Sequence, residues 1–429
     1  MRIGLSIAAL MLAPTAAVAA APALPRIVID AAAEGVWTVR YRLDAPATRL
    51  VFRRSPDQSR QQNWAAESGF EIVATPAGEA VRRIDGRPFA AVSLTMPPLY
   101  RELPKDYAPF APFGDGGTLF HSGRMFACAE ACPEDAQWRM RVNVPDGRAI
   151  LVDGERKLGA AEWIDRDSGR NIYVGAGEPV ATADLLALID GALPATIRDP
   201  LMARLPAFMR HFASKFGTLP ARPMLFASYD AGHQGGWGRQ GGTLPGQVFT
   251  HFYGAHWAEE MAKPGFGDEL SWFFAHEAAH LYQRQLFTPA PEGAWIHEGG
   301  AEALAVLATR ETEPRSAAFL AAKIEGADKR CTELLDGASV RDAIAAGRFE
   351  AAYSCGLLLN LALDAALRRA APDGDGLYSL WRDYMARAGD KGSEHHFLAA
   401  IASAGGAPLA EAVRAAVRTP RPDFTRLGG

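Results

Sequence analysis

The chain runs to 429 residues, 48% hydrophobic and 22% charged, with a formal net charge of -4. That length exceeds one small core and implies two or three folding units of ordinary globular composition. Such a charge balance offers no basic face for a phosphate backbone, so nucleic acid is excluded as the expected partner.

The first residues read "MRIGLSIAALMLAPTAAVAAAPALP", with Arg2 ahead of an apolar run and Ala17 and Ala19 in small-x-small spacing. This is the pattern of an export leader over residues 1–20, with cleavage after Ala20 or Ala21 nearly as compatible. The run is short for a span of about 20 apolar residues, and no later stretch is long enough to cross a bilayer. The mature chain is therefore expected to be exported, periplasmic or secreted, with no membrane span. Export bears on the four cysteines, Cys128, Cys132, Cys331 and Cys355. An oxidising compartment favours disulfides Cys128–Cys132 and Cys331–Cys355, one of three open connectivities. A zinc reading of "CAEAC" lacks a second ligand pair of matching spacing.

Between residues 21 and 182 strand patterns dominate. "WTVRYRLDA" alternates apolar and polar residues, as do parts of "RLVFRR", "GFEIVAT" and "MRVNV", with Asp, Gly and Pro turns between them. This periodicity predicts an antiparallel β domain, a sandwich or saddle-like sheet. "PPLYRELPKDYAPFAPFGDGG" reads as a long ordered loop. The character then changes. "ATADLLALIDGAL" has leucines at helical spacing, and "DPLMARLPAFMRHFASKFG" reads as a helix interrupted at Pro206. "RPMLFASYD" reads as a buried strand, and "GHQGGWGRQGGTLPGQVFTHFYG" as a glycine-rich loop leading into an exposed strand. Downstream the chain is nearly all helix, so the fold class is multidomain α+β with a boundary near residue 182.

In "GDELSWFFAHEAAHLYQRQLF" the apolar residues recur at helical spacing. Residues i and i+4 project from one face a turn apart, so His276 and His280 can grip one ion together. Glu277 faces the open side, where a carboxylate can take a proton from water activated by the metal. Given the ten histidines, a chance His-Glu-x-x-His has odds on the order of one in a hundred, so the motif needs support from a third ligand. "EGAWIHEGGAEALAVLA" supplies one, where a turn precedes a second amphipathic helix. Glu298 lies eighteen residues after His280, far enough for the chain to reverse. Glu302, one turn on, points the same way and suits the outer nitrogen of a histidine ligand. The ligand set implies one Zn²⁺, although cobalt or manganese could enter it.

"HEAAH" followed by "WIHEGGAEALA" resembles the zinc peptidases called gluzincins, and within them the aminopeptidase N and glycyl aminopeptidase families. "AAYSCGLLLNLALDAALRR" resembles the Tyr-x-x-Gly segment that opens a helix in both families, which implies that Tyr353 helps hold an oxyanion. The resemblance implies a β-rich domain over residues 21–182, then a thermolysin-like, mostly helical zinc peptidase domain over 183–429 acting on a peptide or protein. Seventeen residues separate His280 from Glu298 where those families typically have eighteen, so the loop is one residue shorter. A second departure concerns specificity. The aminopeptidase N family binds the substrate's free amine through an acid in a Gly-x-Met-Glu-Asn strand, and "GGWGRQGGTLPGQVFTHFYG" contains neither Asp nor Glu. Aminopeptidase and endopeptidase action therefore both stay open. Gly241 and Gly242 can let a peptide backbone approach the strand edge. His251, like His233 and His256, is a candidate substrate contact.

The expected function is an exported zinc metallopeptidase in which His276, His280 and Glu298 hold the metal while Glu277 and Tyr353 are catalytic. Two alternatives are a non-catalytic peptide-binding module with a structural metal site, which would not need Glu277, and a zinc hydrolase of a non-peptide substrate.

Overall fold

The computed structural model describes residues 24–427 apart from 33–34, 56, 102, 104–106, 234–235, 284–292, 390, 421 and 425–426. The expected leader, residues 1–20, lies outside the described residues. The alternating segments of the front half form three sheets. The first has six strands in the order Ala160–Arg166, Gln137–Asn143, Arg26–Asp30, Trp37–Ala47, Phe89–Met96, Ala65–Ala66. Its inward residues, among them Ile27, Val39, Tyr41, Leu94 and Trp138, are buried in one core. The expectation of a purely antiparallel front needs correction, because Arg26–Asp30 runs parallel to Gln137–Asn143. A parallel partner requires a long crossover, and two further sheets contribute to the intervening chain.

Those sheets are antiparallel throughout: a four-stranded one around Arg49–Phe52 and Gly78–Arg83, and a five-stranded one around Asn171–Gly175 and Thr118–His121. One side of the five-stranded sheet offers Ala111, Phe113, Leu119 and Tyr173 to Leu188, Phe226 and Phe249 of the rear half. This apolar layer joins the front of the molecule to the sheet that carries the site.

The rear half begins with a fourth sheet, ordered Val180–Ala181, Leu186–Ile189, Met224–Asp230, Gln247–Tyr253, Gly238–Leu244. Leu186–Ile189 is a strand and not the expected helix, paired in parallel with Met224–Ala227. Its apolar run is short and buried on both faces, which suits a parallel strand even though its leucine spacing also fits a helix. The helix Ala195–Phe216 runs unbroken through Pro200 and Pro206, against the expected interruption. An interior proline costs about 3 kcal/mol, but Leu201, Leu205, Phe208, Met209 and Phe212 bury the face that holds this helix in place. Gln247–Tyr253 is buried along its whole length, not exposed. The open edge is Gly238–Leu244, joined to it by a turn in which Gly246 adopts φ 69°.

Four helices then build the wall of the site: the motif helix Phe266–Tyr282, the central helix Ala294–Thr312, the helix Ala317–Leu335 and the tyrosine helix Glu350–Ala370. The central helix is not amphipathic as expected. From Trp295 to Thr309 every residue except Glu298 is buried, as befits a helix enclosed on all sides. Among the described residues no helix is long and apolar enough to cross a membrane.

Both expected disulfides are present, Cys128–Cys132 and Cys331–Cys355. The second staples Ala317–Leu335 to the tyrosine helix two residues beyond Tyr353. Replacing Cys331 and Cys355 together by alanine should lower the unfolding free energy by about 3 kcal/mol. Denaturant titration checks this, and an unchanged midpoint would deny the staple its structural role.

Candidate metal centre

The motif helix starts after Gly265, whose φ of 82° turns the chain, and Asp268 and Glu269 place negative charge in its first turn, where the helix dipole favours it. From Leu270 to Tyr282 it is buried, so His276, Glu277 and His280 sit on a backbone with little freedom. His276 Nε2 and His280 Nε2 lie 3.0 Å apart. Glu298 Oε2, from the central helix, is 3.2 Å from His280 Nε2 and 3.8 Å from His276 Nε2. One ligand atom from each of these three residues lies within 4.8 Å of the others. Two imidazoles and a carboxylate converging on one point fit a zinc ion with an open position.

The outer contacts orient the rings. His280 Nδ1 is 2.8 Å from Gln283 Oε1, and Gln283 Nε2 donates to the carbonyl of His297 at 3.0 Å. A proton on Nδ1 leaves Nε2 as a lone-pair donor to a metal. His276 Nδ1 is 3.4 Å from Glu302 Oε1, without a hydrogen bond between them. The three-group charge balance also suits a cation. Burial pushes Glu298 up, but the adjacent His280 outweighs it and holds the carboxyl well below its usual range. Burial likewise lowers His280, and Glu298 more than offsets this, raising its pKa. His276, desolvated and beside His280, is held far below its usual range. A cation held at this point would answer the Glu298 charge.

Glycines set the distance between the central and tyrosine helices. A Cβ at Gly299 would collide with the backbone of Gly356, and one at Gly356 would lie 2.8 Å from Gly299 Cα. The close approach brings Tyr353 to the histidines, its ring centroid 6.1 Å from that of His276. Burial, with Glu298 and Glu277 nearby, pushes the Tyr353 hydroxyl well above its usual pKa, so it stays a donor. Two clefts meet here, of about 660 and 830 Å³, and both are lined by Arg239, Gly241, His276, Glu277, Glu350 and Tyr353.

Glu277 is buried at the foot of these clefts, and desolvation pushes it up to about 7 against the pull of His280 and the Thr243 hydroxyl. Gly241 faces it, since a Cβ there would lie 3.1 Å from Glu277 Oε1 and collide with Phe273. Gly242 faces the other way, toward Phe249 and Tyr107. His251 is not brought to the centre. It is buried with Nδ1 2.7 Å from Ser228 Oγ, its ring 4.3 Å from that of Tyr100. Strand alternation explains this, because residues 249, 251 and 253 face away from the motif helix, while Val248 and Phe252 pack in the same core as that helix. His233 belongs to the same aromatic cluster. His297 instead stacks on His280 with centroids 4.4 Å apart. Sequence reasoning missed Gln283 and Thr243. Gln283 stands three residues after His280, a spacing that could have suggested the contact.

No family model and no curated protein matches the chain. Solved structures do. An aminopeptidase N family protein from Idiomarina loihiensis aligns with a TM-score of 0.67 at 12% identity, over 92% of this chain and 76% of that one. The M1 zinc metallopeptidase from Deinococcus radiodurans aligns at 0.58 and 16% identity, over 94% and 95%. Native yeast LTA4 hydrolase aligns at 0.58 and 12% identity, over 94% and 69%. The chain therefore has a gluzincin aminopeptidase-like fold, with N-terminal β sheets followed by a helical C-terminal part.

Two outcomes follow from this geometry. Gly299→Ala must part the central and tyrosine helices, and should cost about 1–3 kcal/mol of stability by overpacking; thermal melting checks it, with full stability as the contrary result. Burial raises Glu277 to about 7, above its ordinary value of 4.5. A raised carboxyl favours the fold while protonated, and that advantage is lost as pH rises through the folded value. Glu277→Gln should thus gain stability relative to wild type as pH rises from about 4.5 to about 7. A pH-independent difference would contradict the desolvation of this carboxyl.

Proposed function

We propose that the chain is an exported zinc-dependent metallopeptidase that hydrolyses peptide bonds. One observation carries the reading: two buried histidines and a half-buried glutamate line one cleft with a carboxylate and a tyrosine hydroxyl, beside an edge strand of the rear sheet. In this reading His276, His280 and Glu298 hold one zinc ion, Glu302 and Gln283 orient the histidines, and Glu277 and Tyr353 are catalytic. When bound, zinc supplies Lewis acidity that acidifies water and polarises a carbonyl.

An extended peptide pairs with the edge strand Gly238–Leu244 through main-chain hydrogen bonds. Glu277 accepts the proton of the attacking water, whose oxygen adds to the scissile carbonyl carbon. Tyr353 donates a hydrogen bond to the oxyanion that forms. The C–N bond then breaks, and Glu277 delivers its proton to the leaving amine. Support for a peptide substrate comes from a Deinococcus radiodurans M1 zinc metallopeptidase mutant of the same fold, bound to a Tyr-Ser-Ala substrate (TM-score 0.56, 16% identity). The edge strand carries Arg239 and no acidic residue, so the reading specifies peptide hydrolysis and leaves aminopeptidase or endopeptidase action to experiment.

We also assign residues 21–182 to a β-rich unit and 183–429 to a thermolysin-like catalytic unit. Strand pairing supports a boundary within a few residues of 182, since Asn171–Gly175 pairs in a front sheet and Val180–Ala181 in the rear one. The two disulfides fit an oxidising compartment and support export.

The test is a peptide library with free and acetylated N-termini, incubated with the mature protein and with Glu277→Gln and read by mass spectrometry. Wild type should cleave, and the variant should keep its zinc while losing about 10²-fold or more in rate. A variant cleaving at the wild-type rate would overturn the reading. Cleavage confined to free N-termini would mark an aminopeptidase, and cleavage of both halves an endopeptidase.

A further inference from the structure

The geometry points to Thr243 as a positioning residue that aims the carboxylate of Glu277, an inference that rests on the peptidase reading for its catalytic consequence. A carboxylate at the end of a glutamate side chain turns about a broad, nearly two-fold torsion. Left alone it would present either oxygen, at varying angles, to an attacking water. Thr243 Oγ1 lies 3.0 Å from Glu277 Oε2, and both residues are buried. The same hydroxyl is 3.1 Å from the backbone carbonyl of Glu277. A hydroxyl has one proton to donate, and the ionised carboxylate is the stronger acceptor of the two.

The other oxygen is left facing the strand edge. Gly241 lies two residues before Thr243 on the same face of the same strand, and a Cβ there would lie 3.1 Å from Oε1. So Thr243 holds one oxygen, while at Gly241 the Phe273 ring fills the place a side chain would take beside the other. The edge strand therefore offers a substrate its backbone and, through two of its residues, fixes the direction of the base.

Thr243 is itself held firmly. Its β-branched side chain is stiff at χ1, and its backbone pairs with Val248 in the hairpin. Its carbonyl accepts a hydrogen bond from the Tyr107 hydroxyl at 3.2 Å. Tyr107 belongs to the front half, where its ring stacks on His121 with centroids 4.8 Å apart and its own carbonyl accepts from Arg124 Nε at 3.0 Å. The front half thereby reaches the base through one tyrosine and one threonine.

A structural tie between strand and helix would look alike in a static picture, so the test separates hydroxyl from volume. Thr243→Val keeps the branched shape and removes the donor, whereas Thr243→Ser keeps the donor. Thr243→Val should lower kcat about 10- to 100-fold, the scale of a misplaced catalytic group, with KM within about twofold, zinc stoichiometry unchanged and melting temperature close to wild type. Thr243→Ser should stay within about threefold of wild-type kcat. A Thr243→Val protein with wild-type kcat overturns the assignment, and so does a serine variant as slow as the valine one.

A second readout needs no turnover. Infrared difference spectra between each protein and its Glu277→Gln counterpart, with carbon-13 glutamate, isolate the Glu277 carboxylate band. That band should shift in Thr243→Val and not in Thr243→Ser, and an unmoved band overturns the assignment whatever the kinetics. If wild type cleaves no peptide at all, the peptidase reading falls, while the band still decides whether Thr243 holds Glu277.

Discussion

Glu298 is the carboxylate around which the rear of the molecule is arranged. It projects from a helix otherwise buried on all sides, into a space bounded by two imidazoles, and a charge placed there is costly unless a cation answers it. Every neighbouring element serves that condition. The motif helix brings the two Nε2 atoms to 3.0 Å from one another, Gln283 meets the outer nitrogen of His280, the Gly299–Gly356 contact sets the tyrosine helix against the central one, and the disulfide ties the tyrosine helix to Ala317–Leu335. Two imidazoles and a carboxylate suit a metal ion such as zinc in that place.

The edge strand is the second organising element, because it belongs at once to the sheet, the cleft and the base. Its glycines face opposite ways, Gly241 toward Glu277 and Gly242 toward Tyr107 and Phe249, so one short run of sequence serves both walls. The front sheets are more than a cover. They bury an apolar layer against the rear sheet and send Tyr107 to the carbonyl of Thr243.

How much of this was legible in the sequence depended on whether the relevant contact was local. His276, Glu277 and His280 share one helical turn, so spacing alone placed them on one face. Glu298 was readable because a turn and a helix had to follow, and Glu302 because it lies one turn further on the same helix. Leu186–Ile189 was misread because a short apolar run satisfies a strand and a helix equally. Pro206 was misread because the packing of Leu205, Phe208 and Phe212 outweighs the lost hydrogen bond, and that packing is non-local. His251 could be placed only once strand register was known. The close approach of Gly299 and Gly356 is a contact between two helices, which sequence spacing does not reveal. Thr243 carried no signal at all, since its partner sits on another element.

The most direct test of the central claim is zinc K-edge X-ray absorption on the purified protein and on His280→Ala. One zinc per chain is expected, with a nitrogen and oxygen shell at about 2.0–2.1 Å that includes two imidazoles, and loss of one imidazole or of the metal in the variant. A shell containing sulfur at about 2.3 Å, or a spectrum unchanged by His280→Ala, would place the metal elsewhere and contradict it.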